Sequence, residues 1–188
     1  MSARERILDA AAAVMRERGV AHATTKEIAR AAGYSEALLY KHFRDKEEIL
    51  LHVLRERTPQ FSAAPVPGEE TVEANLVAVA HAGLRFYRHA FPMMASLVAQ
   101  PRLMAAARES LSKYGAGPQH PVTTLAGYVR AEQDLGRVSA GTDPDAIAAL
   151  LMGACFQQGF LRYFTQGPDF LETEAADLVR GLLPALQP

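Results

Sequence analysis

The chain has 188 residues, 49% of them hydrophobic, and a formal net charge of −1. It is therefore long and apolar enough to bury a core, which excludes an intrinsically disordered protein. Its one cysteine, Cys155, excludes an internal disulfide and a cysteine-based zinc site and is typical of the reducing cytoplasm. Charged residues follow Met1 without an apolar segment, so we expect no export signal and a cytoplasmic protein.

The charge is divided unevenly along the chain. Residues 1–57 carry 11 Lys/Arg and 9 Asp/Glu, a net charge of +2, and residues 58–188 carry 9 and 12, a net charge of −3. A net charge of +2 does not by itself indicate nucleic-acid binding. Any argument for DNA binding must therefore rest on the pattern of residues.

Apolar residues at helical spacing predict four short helices in residues 1–57. Gly19 and Gly33 mark the ends of the first two, because glycine readily adopts the left-handed conformation that closes a helix. Polar residues cap the starts of the next three helices. These caps are, in chain order, Thr24 or Thr25, then Ser35, then Asp45.

Residues 58–68 hold three prolines and a glycine, which predicts a loop. We take this loop as the boundary between two domains, residues 1–57 and residues 58–188. Beyond it the pattern is again helical, with a break at residues 115–118, and no strand or repeat is indicated. The helices are predicted at 71–90, from Pro92 as a short helix, and at 101–114, 122–135, 144–165 and 173–184.

The helix that begins at Pro144 is apolar on nearly all sides, since only Gln157, Gln158 and Arg162 are clearly polar between residues 146 and 164. Such a helix is buried on more than one side or lies in a membrane. The run barely reaches spanning length and has no flanking basic cluster, so we expect no membrane span. Burial between the core and a second subunit explains the pattern better, and the last helix can add to a four-helix interface. The predicted dimer contacts are Ala149, Gly153, Leu161, Leu178 and Leu182.

Residues 25–43 carry the strongest functional pattern. A helix-turn-helix requires a small residue where its helices touch, a glycine in the turn, and apolar residues that lock the pair. Ala29 and Gly33 supply the first two. The run TTKEIARAAGYSEALLYKHF at residues 24–43, followed by DKEEIL at residues 45–50, closely resembles the tetracycline-repressor (TetR) family of bacterial transcription regulators.

The resemblance covers roughly residues 4–57, and residues beyond them fit by helix number, length and order. It implies an all-α homodimer, with an N-terminal three-helix DNA-binding domain and a C-terminal helical domain for ligand binding and dimerisation. It also implies a recognition helix in the major groove, a palindromic double-stranded DNA operator, and a ligand whose binding releases the DNA. A transcriptional repressor is the expected outcome.

The same resemblance implies roles for individual residues. The start and exposed face of the third helix would read base edges, while Tyr40, His42, Lys46 and Thr25 match positions that contact phosphates, pack the motif or cap a helix. Leu38 stands where the family often has threonine or a similarly small residue. It cannot hydrogen-bond a base, although it can touch a thymine methyl group. The predicted DNA-binding residues are Thr25, Ser35, Glu36, Ala37, Leu38, Tyr40, Lys41, His42 and Lys46.

Methionine, aromatic and isolated polar side chains on the later helices predict an adaptable apolar pocket. We expect its ligand to be a mostly apolar small molecule with one or two polar groups. The methionine and aromatic side chains among them are also ordinary core residues, and for any one of them a core role is the more common one. The predicted ligand-binding residues are His81, Phe86, Met93, Met94, Leu97, Met104, Tyr128, Met152, Phe156, Gln157 and Phe160.

Two other classes of protein, an enzyme and a helical protein that binds partners, are alternatives to a regulator. The sequence has no phosphate-binding glycine loop, no nucleophile elbow and no pair of histidines four residues apart, so we expect no enzyme, no cofactor and no metal site. Cys155 is expected to be an inert core thiol. The remaining alternative is a helical protein that binds partners without any DNA function.

Overall fold

The computed structural model describes residues 1–57, 65–113 and 117–187, with the backbone alone for residues 106 and 110–113. All regular elements in these ranges are helical and no strand occurs in them, which confirms the all-α class. Residues 58–64 of the expected loop and residues 114–116 of the expected break lie outside the described ranges. The helices are α1 (Ala3–Arg18), α2 (Thr25–Ala32), α3 (Glu36–His42), α4 (Lys46–Glu56), α5 (Val72–Ala99), α6 (Pro101–Lys113), α7 (His120–Asp134), α8 (Pro144–Phe164) and α9 (Glu172–Arg180), with a 3₁₀ turn at Leu183–Ala185.

Of the two threonines predicted to cap α2, Thr24 is the cap. Its side chain accepts a hydrogen bond from the backbone nitrogen of Glu27, and the Glu27 carboxylate accepts one from the backbone nitrogen of Thr24, both at 3.2 Å. This reciprocal pair satisfies two backbone donors at the start of the helix. The expectation that Thr25 caps the helix is therefore wrong, and its hydroxyl is available for another contact.

The chain divides into two compact units, one of Met1–Thr58 and Ala90–Gly115 and the other of Pro59–His89 and Ala116–Pro188. In the first unit, buried apolar side chains of α1 to α4 form a core that also includes Met93 and Leu103. The end of α5 and the whole of α6 thus belong to the same compact unit as the N-terminal helices. The domain boundary at residues 57 and 58 stays a prediction.

Two helices differ from their expected bounds. Pro92 lies inside α5 rather than starting a helix of its own. Proline removes one ladder hydrogen bond from a helix but does not always end it. The boundary between the compact units falls between His89 and Ala90, just before this proline. The last helix ends at Arg180 and is followed by a separate 3₁₀ turn instead of continuing to residue 184.

The core of the second unit is built around α7 and α8. Cys155 is fully buried in it, with its Sγ 3.5 Å from the Ala80 carbonyl oxygen. Burial raises the pKa of the Cys155 thiol to about 12, so almost no reactive thiolate forms near neutral pH. The inert thiol expected from the sequence fits this environment.

One carboxylate lies fully buried in the second unit. Glu132 of α7 accepts a hydrogen bond from the backbone nitrogen of Gly68, and its other oxygen lies 3.1 Å from Arg137 Nε. The neighbouring Tyr128 hydroxyl accepts a hydrogen bond from the Asn75 amide at 2.9 Å. These contacts fasten the segment before α5 to α7. Burial and, to a lesser degree, Glu132 raise the pKa of Tyr128 to about 12.

Candidate nucleic-acid interface

The α2–α3 hairpin has the geometry of a helix-turn-helix. Gly33 closes α2 with φ +77° and ψ 28°, the left-handed conformation that glycine adopts most easily. The backbone nitrogen of Tyr34 then donates to the Ala29 carbonyl at 2.9 Å. Buried Leu39 and Phe43 anchor α3 in the core of the first unit. The chain therefore turns sharply at Gly33, as its sequence predicts.

The opposite face of α3 is open to solvent. Ala37, Tyr40, Lys41 and His42 are exposed on it, and Leu38 is half-buried. At 100° per residue, Ala37 and Lys41 lie nearly opposite buried Leu39. Exposed Ser35 caps the helix, because its side-chain oxygen accepts a hydrogen bond from the Leu38 backbone nitrogen at 3.3 Å. A short helix with one anchored face and one open face can enter a groove of DNA.

Three of the predicted DNA-binding residues contact one another. The Thr25 hydroxyl donates to a Glu36 carboxylate oxygen at 2.5 Å, and its oxygen lies 3.2 Å from the Tyr40 hydroxyl oxygen. Glu36 and Tyr40 are four residues apart on α3, so both reach toward the start of α2. The sequence indicated each residue separately but not this hydrogen-bonded set.

Lys46 has a structural role that its sequence position does not reveal. Its Nζ donates to the Val20 carbonyl at 3.0 Å and lies 3.5 Å from the Ala21 carbonyl. It therefore fastens the start of α4 to the turn between α1 and α2. A phosphate contact for Lys46 remains a prediction, and the ammonium group would have to serve both partners.

Sequence reasoning missed a contact that supports the hairpin from α1. The Arg6 guanidinium carbon lies 5.2 Å from the centre of the Tyr34 ring, the distance of a cation–π contact. An arginine facing outward on an amphipathic helix gives no sign of this partner. No role was predicted from the sequence for Lys26 and Arg30, which are exposed on α2 of the hairpin.

In the second unit, α8 buries one side and leaves the other side apolar and exposed. Its exposed face, which we call the α8 face, includes the predicted dimer contacts Ala149, Gly153 and Leu161. The other two predicted dimer contacts, Leu178 and Leu182, are half-buried and pack against the core of the unit. The α8 face consists of the exposed residues 146, 149, 150, 153, 156, 157, 161, 163 and 164, together with the half-buried residue 160.

The predicted ligand-binding residues do not lie in one compact unit. Met93, Met94, Leu97 and Met104 belong to the first unit, where Met93 is part of the core. His81, Phe86, Tyr128, Met152, Phe156, Gln157 and Phe160 belong to the second unit.

Within the second unit these residues have different surroundings. Met152 and Tyr128 are buried in the core, whereas Gln157 and Phe156 are exposed on the α8 face. The Phe156 ring also packs edge-on against Tyr87 at 5.3 Å. His81 Nε2 lies 3.1 Å from the Phe170 carbonyl oxygen. Their shared role in binding a ligand stays a prediction.

A family model described as "Bacterial regulatory proteins, tetR family" matches residues 7–53, which run from α1 into α4. Residues 7–53, about a quarter of the chain, therefore carry the pattern of the N-terminal segment of TetR-family regulators. This family is one of regulatory proteins rather than enzymes. The match contains the whole hairpin of α2 and α3.

Two curated proteins that resemble this chain are regulators. The fatty acid metabolism regulator protein of Bacillus subtilis is 36% identical over 55 residues, and the transcriptional regulator SrpR of Pseudomonas putida is 46% identical over 54 residues. Each alignment covers 29% of this chain and spans 28% and 25% of the respective relative. The sequence likeness therefore covers less than a third of the chain and of either relative.

The fold likeness extends further than the sequence likeness. FadR of Bacillus subtilis, solved in complex with stearoyl-CoA, has a TM-score of 0.72 at 19% identity, and the likeness covers 97% of this chain and 99% of the FadR chain. SmeT, the repressor of a Stenotrophomonas maltophilia multidrug efflux pump, has a TM-score of 0.70 at 22% identity, with 98% and 90% covered. The TetR-like fold thus spans nearly the whole chain. Among the described helices, none is both long and apolar enough to cross a membrane.

Proposed function

We propose that this chain is a transcription regulator that binds a palindromic DNA operator as a homodimer and releases it when a small molecule binds. The observation that carries the proposal is the hairpin of α2 and α3. Gly33 turns the chain, Leu39 anchors α3, and Ala37, Tyr40 and Lys41 stand in solvent on the side where a groove can reach them.

Dimerisation is supported by the α8 face. Leu150 is 61% exposed, Phe164 is 73% exposed, and the small residues Ala149 and Gly153 lie among them. A contiguous apolar face of this kind is typical of a surface that is covered by a partner. A second copy of the chain would cover it with an identical face, as two-fold symmetry requires. Two α3 helices, one from each subunit, would then meet half-sites about one helical turn apart.

The effector is proposed to be a mostly apolar molecule with one or two polar groups. Apolar and aromatic side chains of α5, α7 and α8 in the second unit support this choice. FadR of Bacillus subtilis, which shares the fold, was solved with stearoyl-CoA, a molecule with a long apolar chain and a polar head. An effector can release the operator only if it binds the DNA-free conformation more tightly than the DNA-bound one.

The purified full-length chain provides the test of DNA binding. Duplexes of about 30 base pairs selected from a randomised pool should yield a palindromic sequence. Affinity for that sequence should exceed affinity for a scrambled duplex and should fall as salt rises. Fragments of genomic DNA selected in the same way would identify the operator and the neighbouring genes.

A pair of variants tests whether the exposed face of α3 is the surface that binds DNA. Ala37→Glu adds a carboxylate to the centre of the exposed α3 face and should weaken binding at least about tenfold through repulsion of the DNA phosphates. Ala13→Glu makes the same change at an exposed position of α1 and should alter binding less. Equal affinity of both variants for the selected duplex would contradict the placement. Absence of any DNA binding at low salt would favour the alternative, a helical protein that binds other partners.

A further inference from the structure

The hydroxyl groups of Tyr40 and Thr25 and the carboxylate of Glu36 lie in one chain of hydrogen bonds. Thr25 Oγ1 lies 2.5 Å from Glu36 Oε1 and 3.2 Å from the Tyr40 hydroxyl oxygen. An ionised carboxylate has no hydrogen to give, so Thr25 must donate its single hydrogen to Glu36. The Thr25 oxygen is then an acceptor, and the Tyr40 hydroxyl donates to it. Both hydrogens are thus directed inward along one chain that ends on Glu36.

This arrangement opposes contact with a phosphate. Thr25 and Tyr40 are the two hydroxyl residues that the motif associates with the DNA backbone, but a phosphate oxygen can only accept hydrogen bonds. To donate outward, both hydroxyls must turn away from their present acceptors. Glu36 would then lose its only described hydrogen-bond donor and face an anionic backbone without a partner. An unpaired carboxylate in an interface carries a substantial free-energy cost.

We infer that Glu36 is a specificity-determining residue that requires an amino group, that of cytosine or adenine, on the base edge beside it. This inference rests on the proposed DNA-binding function. In the complex, the exocyclic amine donates to Glu36, and this replaces the bond from Thr25. Thr25 and Tyr40 are thereby free to donate to phosphate oxygens. The three residues exchange internal hydrogen bonds for bonds to DNA only where the base supplies a donor.

Keto groups have the opposite effect at this position. The major-groove edges of guanine and thymine next to Glu36 present acceptor oxygens, so the carboxylate would meet another acceptor. Thr25 would then remain bound to Glu36 and Tyr40 to Thr25, and the contacts with the DNA backbone would be lost together with the base contact. One base pair in each half-site should consequently prefer cytosine or adenine by about 5- to 100-fold. Two-fold symmetry repeats this preference in the other half-site.

The test compares sequences selected from a randomised duplex pool by the full-length wild-type chain and by Glu36→Gln. The glutamine amide can donate as well as accept, so one symmetric position should lose its bias against guanine and thymine. Glu36→Gln also removes one negative charge per subunit, and it should bind scrambled duplex more tightly than the wild type. Thr25→Ala should bind the selected duplex more weakly but keep the same base preference, because Glu36 is still present to read the base.

Glu17→Gln is the matched charge control, since Glu17 is exposed on α1. It should change affinity for scrambled duplex through net charge alone and leave every selected base unchanged. If the wild type selects a sequence and Glu36→Gln selects the same one with the same base frequencies, the inference is overturned while the proposed function stands. If the wild type selects no sequence at all, the proposed function and the inference fall together. Circular dichroism of each variant confirms that it is folded.

Discussion

Gly159 of α8 lies directly against Tyr87 of α5: a Cβ placed on Gly159 would be 2.7 Å from the Tyr87 Cβ and 2.9 Å from the Arg88 backbone nitrogen. Real side chains do not approach so closely, and backbone atoms of α5 cannot turn aside as a flexible side chain can. The absence of a side chain at Gly159 is therefore what allows the two helices to pack at this distance.

Gly159→Ala should consequently destabilise the chain. Overpacking a tight helix contact costs about 1–3 kcal/mol of unfolding free energy, which outweighs the gain of up to about 1 kcal/mol in helix propensity. Gly127→Ala is the control, because Gly127 lies within α7 and nothing stands within 4 Å of its would-be Cβ. Urea denaturation should give opposite signs for the two variants. Equal stabilisation by both would show that α8 can shift away from α5.

The α8 face leads to a prediction about assembly. Leu150→Glu would place a carboxylate where a second subunit is proposed to pack, and burial of an unpaired charge costs several kcal/mol. Sedimentation equilibrium should show a dissociation constant raised by at least about 100-fold. Operator affinity should fall in parallel, because one subunit holds only one α3.

Leu135→Glu supplies the control for this change. Leu135 is 55% exposed and Leu150 is 61% exposed, but Leu135 lies at the end of α7 and not on the α8 face. Leu135→Glu should therefore sediment like the wild type. A Leu150→Glu chain that remained dimeric would exclude the α8 face as the interface.

The helices and turns were predicted from the sequence more accurately than the tertiary contacts between residues. The roles of Gly33 and Ser35 depend on local conformation, because Gly33 forms a left-handed turn and Ser35 caps a helix. These roles could therefore be inferred from a few neighbouring residues. The inclusion of Pro92 in α5 and the burial of Met93 beside the N-terminal helices depend on residues distant in sequence. Periodicity carries no information about such tertiary contacts.

The same limit applies within the candidate site. Thr25, Glu36 and Tyr40 were each indicated by the family motif, whereas the hydrogen bonds between them depend on how the start of α2 meets α3. A phosphate contact was predicted for Lys46 because it stands at the start of a helix. Its ammonium group, however, reaches carbonyl groups more than 20 residues earlier in the chain. Both sets of contacts depend on the direction in which the side chains point in the folded unit.

An ion-pair cluster between α1 and α4 predicts a pH-dependent stability. Two Arg4 nitrogens donate to the Glu56 carboxylate at 3.0 and 2.8 Å, and His52 Nδ1 lies 2.7 Å from it. These contacts, Arg4 above all, hold the pKa of Glu56 well below its ordinary value of 4.5. A folded-state pKa below the unfolded-state one means that the carboxylate stabilises the fold above about pH 4.5, and that this stabilisation is lost as the pH falls below that value.

Glu56→Gln should therefore unfold more easily than the wild type at pH 7. The side chains of Arg4 and Glu56 are 32% and 23% exposed, so solvent screens the pair and we expect a loss of about 1 kcal/mol. The difference should shrink in denaturant titrations repeated at successively lower pH below about 4.5. A difference that stays constant from pH 7 to pH 3 would mean that packing, not charge, accounts for the loss.

Lys46 and Lys41 should respond differently to removal of their charges. Lys46→Ala deletes the hydrogen bonds to the Val20 and Ala21 carbonyls, so the unfolding free energy should fall by about 1 kcal/mol. If Lys46 also contacts a phosphate, binding should weaken on all sequences, and the salt slope should fall by about one. Lys41 is exposed on α3, so Lys41→Ala should leave stability unchanged and alter which sequences are selected.

A Lys46→Ala chain that is less stable but keeps the wild-type salt slope would mean that the ammonium group serves the turn alone. Its effect on DNA affinity would then come from the displaced start of α4.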